Sequence, residues 1–177
     1  MRIVAGELGG RRLFAPHGEE VRPTSDRVRE AIFSILGDVA GASVLDLYCG
    51  TGALGIEAIS RGATHATLVD SAVAAAARNV EDLGTGERCD VVRSDAVRFL
   101  SRDPGAYDLV FCDPPYRLAR RLGPDLDRLL PPRLAKGARV IAESAVGEPL
   151  ELFLPLLDER RYGSTQIRIH GAPEETT

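Results

Sequence analysis

The apolar positions change their period at residue 43. Before it, residues 2–5 and 11–15 read as two short strands joined through Gly6, Gly9 and Gly10, the pattern of a hairpin. The stretch Arg22-Pro23-Thr24-Ser25-Asp26-Arg27 follows, where Pro23 disfavours a helical Arg22 and Thr24 or Ser25 can cap the next helix. That helix places Val28, Ile32, Ile35 and Leu36 on one face. From residue 43 onward, short apolar runs alternate with helical patterns. Strands are expected at 43–48, 66–70, 89–93, 107–112, 139–144 and 165–170, the last half-exposed and a candidate for antiparallel pairing. Helices are expected at 53–61, 72–83, 96–101, 120–130 and 150–157. Such alternation specifies an α/β fold, a parallel sheet covered by helices on both faces. The chain divides into an N-terminal hairpin and helix extension, 1–42, packed on a core domain, 43–177, with a frayed tail at 172–177.

Composition adds bounds. The 177 residues, 44% hydrophobic and 27% charged, suit one globular domain with its own core. Neither a membrane span nor the apolar region of a signal peptide is apparent, so a cytoplasmic protein is expected. Cys49, Cys89 and Cys112 are scattered and odd in number, which indicates neither a disulfide frame nor a metal site. The net charge of −4 argues against nucleic-acid binding through bulk charge. The charge is uneven, however: Arg2, Arg11, Arg12, Arg22, Arg27 and Arg29 crowd the first thirty residues. Lys136 is the single lysine, and arginine suits bidentate phosphate contacts.

In a parallel sheet, ligands bind past the carboxyl ends of the strands. Asp46, Asp70, Asp95 and Asp113 all fall at such ends. Asp46-Leu47-Tyr48-Cys49-Gly50-Thr51-Gly52-Ala53-Leu54-Gly55 runs from strand into helix, and its glycines let the backbone turn tightly and approach a ligand. Gly50 to Gly55 also spells G-x-G-x-x-G, with Asp70 twenty residues beyond, which is the dinucleotide fingerprint. Both a dinucleotide and a methyl donor present a ribose to Asp70. Asp46, however, would repel a pyrophosphate and attract the ammonium of a methionine moiety, and Asp95 can accept from an adenine amino group. The acid-rich pocket therefore favours S-adenosylmethionine over NAD. Its expected lining is Asp46, Tyr48, Cys49, Gly50 and Gly52, then Asp70 with Ser71, and Asp95 with Ala96.

Asp113-Pro114-Pro115-Tyr116 follows the fourth strand, and the two prolines make the chain leave the sheet as a stiff segment. An exocyclic amine of a nucleobase is a weak nucleophile because its lone pair is delocalised into the ring. The Asp113 carboxylate and the Pro114 carbonyl can accept its two N–H groups, and Tyr116 can stack on the base. The base must then be unpaired or flipped out. A cysteine nucleophile is disfavoured, because Cys112 should face away from Asp113 in an extended strand.

These residues resemble the RsmD family of bacterial small-subunit ribosomal RNA guanine-N2 methyltransferases. The similarity includes Arg2-Ile3-Val4-Ala5-Gly6, Gly10-Arg11-Arg12-Leu13, Arg22-Pro23-Thr24 with Asp26-Arg27-Val28-Arg29-Glu30, the glycine loop, and Asp113-Pro114-Pro115-Tyr116. It implies a Rossmann-like seven-stranded S-adenosylmethionine-dependent methyltransferase fold with a reversed last strand and an N-terminal hairpin extension. It implies S-adenosylmethionine as cofactor, 16S rRNA of an assembled or assembling 30S subunit as partner, and N2 of one guanine as acceptor. A monomer is expected. Arg11, Arg12, Arg22, Arg27 and Arg29 are candidates to grip RNA phosphates, each with an alternative as an intramolecular ion pair; Thr24 is a helix cap, a donor contact, or both. The rival readings are a DNA adenine-N6 or cytosine-N4 methyltransferase, an NAD-dependent oxidoreductase, and a non-catalytic rRNA-binding assembly factor.

Overall fold

The computed structural model describes residues 1–16 and 25–173, so Arg22, Pro23 and Thr24 lie outside the described residues. Helix α1 (Asp26–Leu36) starts at Ser25, whose hydroxyl accepts from the Val28 amide at 3.3 Å. Thereafter strands and helices alternate: β1 (Ser43–Leu47), α2 (Ala53–Ser60), β2 (His65–Asp70), α3 (Ala74–Leu83), β3 (Cys89–Arg93), α4 (Ala96–Leu100), β4 (Tyr107–Cys112), α5 (Tyr116–Leu129) and β5 (Leu134–Ala145). An antiparallel pair, β6 (Leu156–Tyr162) and β7 (Thr165–Gly171), completes the chain.

One seven-stranded sheet runs in the order β3-β2-β1-β4-β5-β7-β6. The first five strands pair in parallel, and β7 is antiparallel to both neighbours. Alternate side chains of the central strands enter two cores. Val44, Leu109 and Phe111 pack with α1, α2, α3 and the N-terminal residues Ile3 and Leu13. Leu45, Leu47, Val110 and Cys112 pack with α4 and α5 on the other face. Residues Val44 to Leu47 are all buried, as an inner parallel strand requires.

The segment 150–157 is not a helix. Leu150, Leu152 and Leu154 are buried while Glu151, Phe153 and Pro155 face solvent, a period of two. Pro155 also denies a helix its amide hydrogen. The segment leads into β6, which has no counterpart among the strands expected from periodicity.

The N-terminal arm, residues 1–16, forms a minimal hairpin. Arg2 bridges Arg12, and the Ile3 amide donates to the Arg11 carbonyl at 2.9 Å. The arm rests on α2 rather than standing apart. The buried Glu57 carboxylate accepts from the Val4 amide at 2.7 Å and the Ala5 amide at 3.0 Å, and pairs with Arg61 at 2.8 Å. Gly6 has φ +83, and a Cβ there would lie 1.8 Å from the Ser60 carbonyl oxygen, a backbone atom that cannot step aside. Gly6→Ala should therefore destabilise the protein by about 2–4 kcal/mol. Urea titration checks it; a midpoint within error of wild type would mean that the arm is not held this way.

Candidate active site

The strand order reverses between β1 and β4, each of which sends its next connection to a different face of the sheet. The crevice at such a switch point is where α/β sheets take their ligands. The register sets Leu47 opposite both Val69 and Cys112, so the glycine loop, Asp70 and Asp113 emerge side by side. Asp95 follows β3, whose Arg93 lies opposite Asp70. The four acids of the sequence pattern thus share one edge.

Three anchors hold the loop. Asp46, 2% exposed, accepts from the Gly55 amide at 2.9 Å through Oδ2, which ties the loop's far end to the strand beneath it and leaves Oδ1 for another partner. Burial pushes its carboxyl up to about 7; nearby Asp70 adds to the rise and the Gly55 amide opposes it. Asp70 accepts from the Gly50 amide at 2.9 Å through Oδ2, and from the Ala72 amide at 3.0 Å and the Ser71 hydroxyl at 3.3 Å through Oδ1. Asn79 of α3 donates to the Thr51 carbonyl at 2.9 Å. Gly50 and Gly52 have φ +53 and +76, and a Cβ on Gly52 would meet Leu68 at 3.0 Å, while one on Gly50 would project into open space. Gly52 begins α2 without a side-chain cap.

Tyr48 is the one non-glycine residue with positive φ among the described residues, at +61. Held so, its hydroxyl is buried and has no hydrogen-bond partner among them. Burial raises its pKa, as do Cys112, Asp95, Asp70 and Asp125 nearby, so it remains a neutral donor. A strained residue carrying an orphaned donor is a candidate functional position. Tyr48→Phe should leave the free protein as stable or more so, because an unsatisfied group is removed, while weakening donor binding by about 5–30-fold. Melting curves with and without donor check this; unchanged donor affinity would remove Tyr48 from the site.

Other residues are positioned less directly. Asp95 caps α4, its Oδ1 accepting from the Arg98 amide at 2.9 Å, so only part of its carboxylate remains for a ligand. Ala96 and Cys49 are buried, and Cys49 is tied by its backbone to Val69 and Gly52. The Ser71 carbonyl accepts from Arg93 at 3.2 Å. Asp113 is half-buried, Pro114 buried and Pro115 exposed, and the Pro115 carbonyl accepts from the Leu118 amide at 2.7 Å as Tyr116 begins α5. Cys112 is 1% exposed and packs into the core; burial and the carboxylates of Asp113 and Asp46 raise its pKa, which keeps it a thiol and makes it a poor nucleophile.

Among the candidate phosphate-binding arginines, Arg12 and Arg27 are exposed. Arg11 is exposed but donates to the Asp82 carbonyl at 3.1 Å. Arg29 is a correction: it is fully buried, pairs with Asp26 at 2.8 Å and donates to the Arg2 carbonyl, so it ties the arm to α1 and presents nothing to RNA. The clamps at Glu57 and Asn79 had no local signal in the sequence.

This sheet order, with the reversed β7 and a glycine loop at the switch point, defines the S-adenosylmethionine-dependent methyltransferase fold. A solved structure described as a putative methyltransferase yhhF from Escherichia coli superposes with a TM-score of 0.82, at 35% identity, over 97% of each chain. Residues 1–171 match the family described as conserved hypothetical protein 95. The chain belongs to that family, the RsmD family of the sequence resemblance. Ribosomal RNA small subunit methyltransferase D of Escherichia coli strain K12 is 41% identical over 120 residues, 66% of this chain and 61% of the relative, so the chain spans about three fifths of that protein. The putative rRNA methyltransferase YlbH of Bacillus subtilis strain 168 is 40% identical over 125 residues, 66% of this chain and 67% of the relative.

Proposed function

We propose that this protein transfers a methyl group from S-adenosylmethionine to the exocyclic N2 of a guanine in 16S rRNA, within an assembled or assembling 30S subunit. The observation that carries the reading is the emergence of Asp113-Pro114-Pro115 beside the glycine loop at the β1/β4 switch point. The pocket fits the donor. Asp70, Asp95 and Asp113 at the strand ends, with Asp46 buried beneath the loop, oppose a pyrophosphate, and the orphaned Tyr48 hydroxyl awaits an acceptor. The open face at Gly50 admits a ligand against the backbone.

When bound, S-adenosylmethionine supplies a sulfonium methyl, an electrophile that needs no further activation. Asp46 offers Oδ1 to the donor's ammonium, Asp70 and Ser71 meet ribose hydroxyls, and Asp95 with Ala96 borders the adenine. The Asp113 carboxylate accepts one N–H of the guanine amine and the Pro114 carbonyl the other, the Pro115 carbonyl being committed to Leu118. Two acceptors on one nitrogen favour its pyramidal form and turn its lone pair toward the donor. Tyr116, whose side chain lies outside the described residues, is the candidate to stack on the base. Holding two reactants in this relation is where most of the rate arises. The amine proton leaves after methyl transfer, with Asp113 as its first acceptor. Arg11, Arg12 and Arg27 supply phosphate contacts, joined by Arg22 and Thr24 beyond the described residues. The names of the Escherichia coli and Bacillus subtilis relatives support ribosomal RNA as substrate class.

The test supplies radiolabelled donor with undermethylated 30S subunits, naked 16S rRNA or duplex DNA. Label entering the subunits is expected. Label entering only DNA would replace this reading with the DNA amino-methyltransferase alternative.

A further inference from the structure

We propose that Asn79 is a positioning residue that couples the N-terminal arm to the donor loop, so that RNA on the arm and methyl donor in the loop each tighten the other's binding. The inference rests on the function proposed above. Asn79 lies in α3 and is 1% exposed. Its Oδ1 accepts from the Phe14 amide at 2.7 Å, and its Nδ2 donates both to the Phe14 carbonyl at 3.0 Å and to the Thr51 carbonyl at 2.9 Å. Both amide protons and the oxygen are used, so the group is fully satisfied although buried.

The partners belong to two segments far apart in the chain. Phe14 lies on the outgoing limb of the arm and is gripped through both backbone groups. Thr51 stands between the two glycines of the donor loop. Its carbonyl belongs to the same peptide plane as the Gly52 amide, which donates to Cys49 at 2.7 Å, so fixing one fixes the other. The remaining arm contacts on α3, Arg78 stacked 4.0 Å over the Phe14 ring and Arg11 on the Asp82 carbonyl, touch no loop atom. The Thr51 hydroxyl reaches the Met1 sulfur at 3.8 Å, a second and weaker link between the same segments. Asparagine is a poor helix former, and a surface position would not need it here. Its placement is explained by joining the two binding elements.

Coupling of this kind is reciprocal, and it is expected at about tenfold, within the usual 5–150-fold range. Equilibrium dialysis of labelled S-adenosylhomocysteine against the full chain, with and without undermethylated 30S subunits, measures it. Wild type should bind about tenfold more tightly with subunits present. Asn79→Ala should bind equally in both conditions, whereas a merely structural role would weaken both while preserving the ratio. No linkage in wild type, or linkage retained in the variant, overturns the proposal. A second measurement needs no variant. Adding S-adenosylhomocysteine to wild type should slow hydrogen exchange of the Phe14 amide, and bound ligand with unchanged exchange there overturns the coupling. Failure of S-adenosylhomocysteine to bind at all would instead refute the proposed function.

Discussion

Asp113→Ala is expected to lower methyl transfer by at least about 10²–10³-fold while donor affinity changes only a few-fold. Asp113 lies one residue past Cys112, the last residue of β4, and that strand is fixed between β1 and β5 over most of its length. Removing the carboxylate leaves the backbone frame and the glycine loop in place. What is lost is the acceptor that makes a delocalised amine nucleophilic. Asp113→Asn retains an acceptor oxygen without its charge and should fall between the two. Single-turnover rates with saturating donor, alongside dialysis of labelled donor, separate the effects. A variant with wild-type turnover would show that the amine is activated elsewhere.

Asp46→Asn should make the free protein more stable at neutral pH and weaken donor binding by about 10–100-fold. Burial raises the Asp46 carboxyl from its ordinary 3.8 to about 7. Its folded pKa thus lies above the unfolded one, so stability present below about pH 4 is lost as pH rises toward 7. Above pH 7 the ionised form costs roughly 2–4 kcal/mol, which the neutral asparagine avoids while still accepting from Gly55. The variant's advantage should vanish near pH 4. A donor ammonium beside the carboxylate offsets that cost, so wild-type donor affinity should rise with pH up to about 7. Denaturant midpoints and donor affinities across pH 4–8 check both signs. A flat affinity profile would place the ammonium elsewhere.

Local signals were legible where a short stretch carried its own reason. The glycine loop needs positive φ at Gly50 and Gly52, and Asp-Pro-Pro must leave a sheet, so both could be placed on strand ends before the fold was known. The alternation of strands and helices gave the parallel sheet for the same reason. Long-range relations were not legible. Glu57 and Asn79 look like solvated helix residues until the arm, 52 to 65 residues away, closes over them. Arg29 is legible as a phosphate contact or as an ion-pair partner of Asp26 or Glu30 on a solvated helix face; it does pair with Asp26, but it turns inward to hold Arg2. Leucines at 150, 152 and 154 were crowded enough to suggest a helix, and their period of two separates the readings only once Pro155 is given its full weight. The acids at the strand ends are legible, but their bonding within the protein is not: Asp46 and Asp70 each accept an amide of the glycine loop, and Asp95 accepts one of its own turn.

The site at the β1/β4 switch point is proposed to methylate an exocyclic guanine amine. The most direct test is to digest 30S RNA labelled by the wild-type protein to nucleosides and identify the methylated one by mass spectrometry. N2-methylguanosine is expected, and it should be absent when Asp113→Ala replaces wild type. Label on a ring carbon or a ribose 2′-hydroxyl, neither of which offers an N–H to Asp113 and Pro114, would contradict it.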